Sequence, residues 1–186
     1  MLGVVLTGGA SRRMGRTKAL IEIDGVAMGT RVATAMAEVG CRPVRALGGD
    51  PDDLAPLGLT VIADRWPGEG PLAGILCALE SAAGDGPDDV MVLACDLADI
   101  GPADLRRLVD AADLAPAADA IVATTDRSEP GCAIWRTSSI GEVRRRFEAG
   151  ERAVHRVFEG LDVVEVPLPA AALRNITAPG DLDRYP

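Results

Sequence analysis

The sequence is poor in the residues on which several common kinds of catalytic site depend. It contains one histidine, His155, and therefore gives little support to a Ser-His-Asp triad or a histidine-rich zinc site. Its four cysteines are far apart along the chain, with no CxxC pair, and at least three lie within apolar runs. We interpret them as buried, reduced thiols rather than as metal ligands.

Aromatic residues are also scarce, at 3% of the chain, although hydrophobic residues in total make up 48%. A core of this composition is built mainly from aliphatic side chains, which favours closely packed layers of helices and strands. The length of 186 residues fits one domain, residues 1–186, whereas two independent domains would be cramped.

Long apolar runs are absent as well. No stretch reaches the ~18 apolar residues of a transmembrane helix. The amino terminus runs directly into an apolar segment without a signal-peptide pattern, so we expect a cytoplasmic protein with no membrane partner. The formal charge of −9 disfavours nucleic acid as a partner, because polyanions bind positively charged surfaces.

Positive charge is nevertheless concentrated in one short segment. Four cations and no acid occur within seven residues, namely Arg12, Arg13, Arg16 and Lys18. Lys18 is the only lysine of the chain, against eighteen arginines. Because lysine presents a compact ammonium that arginine does not reproduce, its retention here indicates a specific role. This segment is the expected binding site for an anionic ligand.

Apolar runs alternate with segments of helical periodicity along the whole chain. The predicted strands are Leu2–Thr7, Val44–Leu47, Leu59–Ala63, Val90–Ala94, Ala120–Thr124, Cys132–Trp135 and Val163–Val166. The predicted helices are Met28–Val39, Pro71–Ala83, Pro102–Ala112 and Ile140–Phe147, with a short last helix from near Pro179. This alternation predicts an α/β fold, a three-layer α/β/α domain with a mostly parallel, Rossmann-like sheet.

Polar segments follow three of the predicted strands. Ligands of open α/β sheets bind beyond the carboxyl ends of the strands, so these segments are expected to converge. They are Gly8–Lys18 after the first strand, Asp64–Gly70 after the third, and Asp96 after the fourth. The predicted site therefore combines a glycine-rich turn, cations and isolated carboxylates.

A magnesium nucleotide is the ligand that this combination favours. Gly8 and Gly9 allow the backbone to approach phosphates, to which free N–H groups can donate. Arg13 and Lys18 would neutralise charge on a leaving pyrophosphate. Asp96 would bind Mg²⁺, a hard cation that shares oxygen ligands with substrate phosphates. We therefore predict Arg13, Lys18 and Asp96 as catalytic residues and Asp96 as the metal ligand.

Other nucleotide and nucleophile motifs do not fit the first loop. A Walker A loop needs GxxxxGK[ST], but Gly15 is followed by Arg16-Thr17-Lys18. GxGxxG is absent after the first strand, which disfavours a dinucleotide site. Ser11 lies in GASRR rather than GxSxG, so a nucleophile elbow is unsupported.

Several motifs in a fixed order resemble one enzyme family. The string LTGGASRRMGRTKALIEIDG at 6–25 is similar to the signature LAGGxSxRMGxDKALLxLxG of the MobA-like nucleotidyltransferases. Further matches are GPLAGI at 70–75, CD at 95–96, GERAV at 150–154 and NITAPGDL at 175–182. Among these enzymes the chain most resembles the molybdenum cofactor guanylyltransferases, which transfer GMP from GTP to Mo-molybdopterin and release pyrophosphate.

The resemblance implies a sheet of the nucleotide-diphospho-sugar transferase type and roles for individual residues. The residues implied to bind the nucleotide are Leu6, Thr7, Gly8, Gly9, Lys18, Asp64 and Asp96. The candidates for binding the acceptor substrate are Gly70, Pro71 and Asn175. The implied partners are GTP and molybdopterin, with molybdoenzyme-maturation proteins as further candidates, and the implied cofactor is Mg²⁺. The terminal phosphate of molybdopterin would attack the α-phosphorus of GTP without a covalent enzyme intermediate.

Alternative functions stay open at this point. A related enzyme could use CTP or another phosphorylated acceptor, although Gly8-Gly9 favours the guanylyl type because cytidylyl relatives tend to have Ala-Gly or Ala-Ala there. A sugar-phosphate nucleotidyltransferase would usually be longer. A non-catalytic nucleotide-binding module is the third alternative, and the presence of both Lys18 and Asp96 weighs against it. Asp64 and Asn175 could instead serve only local turns.

Overall fold

The computed structural model describes residues 1–8, 17–86, 88–177 and 179–185, and within these ranges the strands form a large sheet and a small hairpin. The strands are β1 (Leu2–Leu6), β2 (Glu22–Ile23), β3 (Val26–Ala27), β4 (Val44–Leu47), β5 (Thr60–Ile62), β6 (Asp89–Ala94), β7 (Ala120–Thr124), β8 (Ser128–Arg136) and β9 (Val163–Pro167). The α-helices are α1 (Met28–Glu38), α2 (Pro51–Leu54), α3 (Pro71–Asp85), α4 (Pro102–Leu114), α5 (Ile140–Glu148) and α6 (Val154–Phe158). Short 3₁₀ helices cover Lys18–Leu20, Ala55–Leu57, Thr137–Ser139 and Pro179–Arg184.

The large sheet has the strand order β5-β4-β1-β6-β8-β7-β9. Its neighbouring strands run parallel except at β8, which is antiparallel to both β6 and β7. In the centre, Leu6 at the end of β1 lies opposite Leu47 of β4 and Ala94 of β6. The carboxyl ends of these three strands therefore meet at one edge of the sheet, and β5 ends beside them because Ile62 lies opposite Leu47. The ends of β1, β5 and β6 are the ones predicted to converge.

Apolar side chains cover both faces of the sheet, because successive residues of a strand point to opposite sides. Val5 and Leu93 belong to one buried cluster, which the helices α1 and α4 cover. Val4, Val92 and Trp135 belong to another, which α3 and α5 cover. The predicted three-layer α/β/α architecture is confirmed. In the described part of the chain, no helix is both long and apolar enough to cross a membrane.

The predicted strand boundaries fail most clearly at β8. We predict a strand over Cys132–Trp135, whereas the observed strand covers Ser128–Arg136. Its first four residues are only half-buried, because they belong to the hairpin that β8 forms with the end of β7. A search for continuous apolar runs finds the buried half of such a strand and misses the polar half.

The interpretation of the cysteines as buried, reduced thiols is confirmed, since all four are free and buried. Burial raises the pKa of Cys41 to about 11. Burial, followed by the negative charge of Asp96, raises the pKa of Cys95 to about 12. These thiols therefore stay protonated at neutral pH and are poor nucleophiles.

Candidate active site

A cleft of about 430 Å³ opens at the carboxyl edge of the sheet. It lies where β1, β4, β5 and β6 end and where α3 begins. The described residues that line it are Leu6, Thr7, Gly8, Lys18, Leu47, Asp64, Gly68, Gly70, Pro71, Gly74, Ala94, Cys95 and Asp96. Its size lies within the range of small-molecule sites, which is about 300–1,000 Å³. The described residues of the three segments predicted to converge, Gly8 and Lys18 of the first among them, therefore line one cleft.

The floor of the cleft is the end of β1, and its backbone is hydrogen-bonded to β4. The N–H groups of Thr7 and Gly8 both lie 3.0 Å from the carbonyl oxygen of Leu47. The Thr7 hydroxyl is directed to the same strand end, 3.0 Å from the Leu47 oxygen and 2.5 Å from the Gly48 oxygen. The Gly8 N–H is therefore not one of the free N–H groups that could donate to a phosphate, because it already has a backbone acceptor.

Gly9 and Arg13, which we predict as phosphate-binding residues, lie outside the described residues. Their roles stay predictions.

Gly48 contributes to the cleft in a way that sequence analysis missed. It has a φ of +73°, and a Cβ atom placed on it would lie 3.0 Å from the Gly8 Cα and 3.3 Å from the Gly8 nitrogen. Only glycine allows this approach without displacing the neighbouring backbone. The sequence signal for this contact is the Gly48-Gly49 pair after the second predicted strand. This pair belongs to none of the motifs described above.

Lys18 and Asp96 form an ion pair within the cleft. The Lys18 Nζ lies 2.9 Å from the Asp96 Oδ2, and the two side chains are 20% and 19% exposed. Lys18 begins a 3₁₀ helix next to α1, whereas Asp96 follows β6. The central sheet therefore brings together two charges that are 78 residues apart in the sequence.

The contacts of this pair suit it to a polyanionic ligand and a cation. A phosphate oxygen could replace the carboxylate as the acceptor for Lys18 and leave the Asp96 carboxylate available to a cation. Among the described residues, no group of three or more His, Cys, Asp or Glu side chains could hold a metal ion. One carboxylate is still sufficient for an ion such as Mg²⁺, which takes its remaining ligands from water and substrate phosphates. The donor set therefore fits a cation that a bound nucleotide helps to hold.

Asp64 lies on the opposite wall and has two roles. Its Oδ1 accepts a hydrogen bond of 2.9 Å from the Trp66 N–H, which forms the local turn. Its Oδ2 points toward the end of β1, 3.8 Å from the position of a Cβ on Gly8. Asp64 therefore shapes the loop and lines the cleft at the same time.

Of the three residues predicted to bind an acceptor, two line the cleft and one does not. Gly70 and Pro71 line the cleft, and Pro71 is the first residue of α3. The positive end of the α3 dipole consequently faces the cleft and favours anions there. Asn175 is exposed and is outside the lining as the described residues define it. It is held near the site because the Ile176 N–H donates to the Asp96 carbonyl oxygen at 3.0 Å.

Comparisons with known proteins agree with this geometry. The amino-acid sequence is 36% identical to that of a molybdenum cofactor guanylyltransferase from Rhodobacter capsulatus over 185 residues, which cover 98% of this chain and 93% of the relative. The fold is similar to the crystal structure of molybdopterin-guanine dinucleotide biosynthesis protein A from Archaeoglobus fulgidus, with a TM-score of 0.79 and 25% identity over 100% of this chain and 96% of that chain.

The same fold occurs in 2-C-methyl-D-erythritol 4-phosphate cytidylyltransferase from Thermus thermophilus. That structure matches with a TM-score of 0.72 and 18% identity, covers 98% of this chain and 95% of that chain, and supports the fold alone. The profile of the MobA-like NTP transferase domain matches residues 3–165. The chain therefore belongs to the family of MobA-like NTP transferase domains, which are nucleotidyltransferases.

Proposed function

We propose that the protein is a molybdenum cofactor guanylyltransferase, which transfers GMP from GTP to Mo-molybdopterin and releases pyrophosphate. The observation that carries the proposal is the Lys18–Asp96 pair, which faces a nucleotide-sized cleft at the end of β1. The relative from Rhodobacter capsulatus supports the choice of reaction, because it matches this chain over nearly the full length of both proteins. We further propose that the protein acts in the cytoplasm.

The proposed reaction needs alignment and charge neutralisation rather than a protein nucleophile. An oxygen of the terminal phosphate of molybdopterin forms a bond to the α-phosphorus of GTP, and the bond from that phosphorus to the β-phosphate bridging oxygen breaks. Lys18 binds the leaving phosphates, with Arg13 as the second proposed cation. Asp96 would hold Mg²⁺, which when bound would supply positive charge against the phosphates.

The remaining proposed contacts follow the walls of the cleft. Leu6, Thr7 and Gly8 contact the nucleotide at the end of β1, and Asp64 contacts it from the opposite side. Gly70 and Pro71 bind the acceptor from the start of α3, whose N-terminal dipole attracts its phosphate. Asn175 reaches the acceptor from the edge of the site. Molybdoenzyme-maturation proteins are the proposed recipients of the product.

Pyrophosphate release tests the proposal directly. The assay combines the purified protein with GTP, Mg²⁺ and molybdopterin, and it compares wild type with Lys18→Ala and Asp96→Asn. Each substitution removes one member of a charge pair that acts on the transferring phosphates, so we expect kcat to fall by roughly 100-fold or more. Unchanged release in both variants would contradict the assigned roles.

Asp89→Asn is a matched control, because Asp89 begins the same strand that Asp96 follows. It pairs with Arg136, and the two side chains are 24% and 17% exposed, which is close to the exposure of the catalytic pair. This variant should keep the wild-type rate once the rate is corrected for the fraction of folded protein. An equal loss of activity in Asp89→Asn would show that the loss in Asp96→Asn does not depend on the position of Asp96 in the cleft.

The choice of nucleotide is tested by replacing GTP with CTP or ATP in the same assay. Pyrophosphate release with GTP alone is the expected result. Release with CTP but not GTP would instead identify a cytidylyltransferase. Binding of GTP without release would identify a non-catalytic nucleotide-binding module.

A further inference from the structure

The loop at residues 65–70 forms one wall of the cleft and depends on outside support for its shape. It begins after Asp64 and contributes Gly68 and Gly70 to the cleft lining. Both glycines have a φ of +86°, a conformation that side-chain-bearing residues rarely adopt. Within the loop, the Glu69 N–H donates to the Trp66 carbonyl oxygen at 3.1 Å. Two glycines with wide conformational freedom and few hydrogen bonds within the loop do not by themselves fix its backbone conformation.

Arg152, which lies in the GERAV motif, ties the loop to the end of α5, while Arg65 of the loop pairs with Glu80 of α3. Its Nε donates to the Glu69 Oε2 at 2.6 Å. Its Nη1 donates to the carbonyl oxygens of Phe147 and Glu151 at 2.9 and 2.8 Å. The guanidinium also lies 4.2 Å above the centre of the Phe147 ring, and that ring is 5.0 Å from the ring of Trp66. One side chain therefore joins the loop to the end of α5.

We propose that Arg152 is a positioning residue that holds the 65–70 loop against α5 and thereby fixes the wall of the cleft that runs from Asp64 to Gly70. The side chains of Arg152 and Glu69 are 41% and 48% exposed, so their ion pair contributes little to the global stability of the fold. Two backbone acceptors and the Phe147 ring fix the guanidinium beforehand, so Glu69 meets a preorganised partner. The effect of the contact is therefore local and falls on the position of the loop.

The first measurement needs no ligand, so it is independent of the proposed function on which the site assignment rests. Acrylamide quenching of tryptophan fluorescence reports on Trp66, since the other tryptophan, Trp135, is fully buried. Arg152→Ala should increase the accessibility of Trp66 to acrylamide, because the Phe147 ring and Glu69 lose their common partner. Arg145→Ala should leave it unchanged.

Arg145 is a suitable control because it lies on α5, is mostly exposed and pairs with Glu142 on the same helix.

The second measurement separates positioning from catalysis. We expect Arg152→Ala to raise the KM values for the nucleotide and the acceptor by up to about fivefold, the upper end of what the loss of one exposed ion pair gives, and to leave kcat unchanged. Arg152→Lys, which keeps the charge but not the planar fork, should give an intermediate KM. Glu69→Gln should raise KM as well, and its effect should not add to that of Arg152→Ala.

Three results would overturn the proposal. One is a Trp66 accessibility in Arg152→Ala equal to that of wild type. Another is a lowered melting temperature with an unchanged KM, which would reduce Arg152 to a structural role. The third is full additivity of Arg152→Ala and Glu69→Gln. If the wild-type protein uses a nucleotide other than GTP, the quenching result still shows whether Arg152 holds the loop. The KM values are then measured with the nucleotide that the protein does use.

Discussion

Replacing Gly48 by alanine tests whether the close approach of two strand ends shapes the proposed nucleotide site. Gly48 follows β4, and its backbone lies against Gly8 at the end of β1. The new Cβ would lie 3.0 Å from the Gly8 Cα. Gly8 cannot move freely, because its N–H and that of Thr7 are bonded to the Leu47 oxygen. The substitution should therefore displace the floor of the cleft.

The expected loss of stability has two parts. Alanine at a φ of +73° costs roughly 1–2 kcal/mol, because the left-handed conformation brings Cβ too close to the following carbonyl. The overlap with Gly8 is an overpacking effect and costs about 1–3 kcal/mol more. Gly58 provides the control, since it has a φ of +67° and nothing within 4 Å of its virtual Cβ. Gly58→Ala should therefore show only the cost of placing alanine in the left-handed conformation.

Urea unfolding and titration of the magnesium nucleotide measure the two consequences. Gly48→Ala should be less stable than Gly58→Ala by about 1–3 kcal/mol. Its affinity for the nucleotide should also fall, whereas Gly58→Ala should bind as wild type does. Equal stability of the two variants, or an unchanged affinity in Gly48→Ala, would refute the idea that contact with Gly8 fixes the cleft floor.

Two further predictions concern titratable groups. Hydrogen bonds from Arg145 and then Arg146 lower the pKa of Glu142 from 4.5 to about 2, so its contribution to stability is complete above pH 4.5 and is lost as the pH falls toward 2. In urea unfolding, the stability difference between wild type and Glu142→Gln should therefore shrink over this interval, and a constant difference would contradict the assignment. The raised pKa values of Cys41 and Cys95, together with burial, predict that a disulfide reagent labels neither thiol at about pH 8 until urea is added. Rapid labelling of the native protein, mapped to either residue by mass spectrometry, would be the contrary result.

The sequence predicts the central strands well because burial on both faces requires continuous apolar runs. The strand Ala120–Thr124, which is buried throughout, occurs with the predicted boundaries. The hairpin β2–β3 and the short helix α6 were missed, since two-residue strands and a five-residue helix show no periodicity. The antiparallel direction of β8 was also not predictable, because strand direction depends on pairing rather than on local composition.

The candidate site could be predicted where it depends on strand ends. Lys18, Asp64 and Asp96 were expected to converge, and the structure places all three around one cleft. What the sequence could not provide are the backbone contacts. That the Gly8 N–H is bonded within the sheet, and that Gly48 abuts Gly8, are results of strand register, which no pattern of residue types specifies.

The order of strands in the sheet links ligand binding to folding. Lys18 and Asp96 are 78 residues apart and meet only after β6 has joined β1, so the cleft is among the least local features of the chain. A nucleotide that binds this cleft and not the unfolded chain raises stability by about 2.7 kcal/mol at a hundredfold excess over Kd. The supply of nucleotide would thus raise the fraction of the protein that stays folded, in addition to the rate of the reaction.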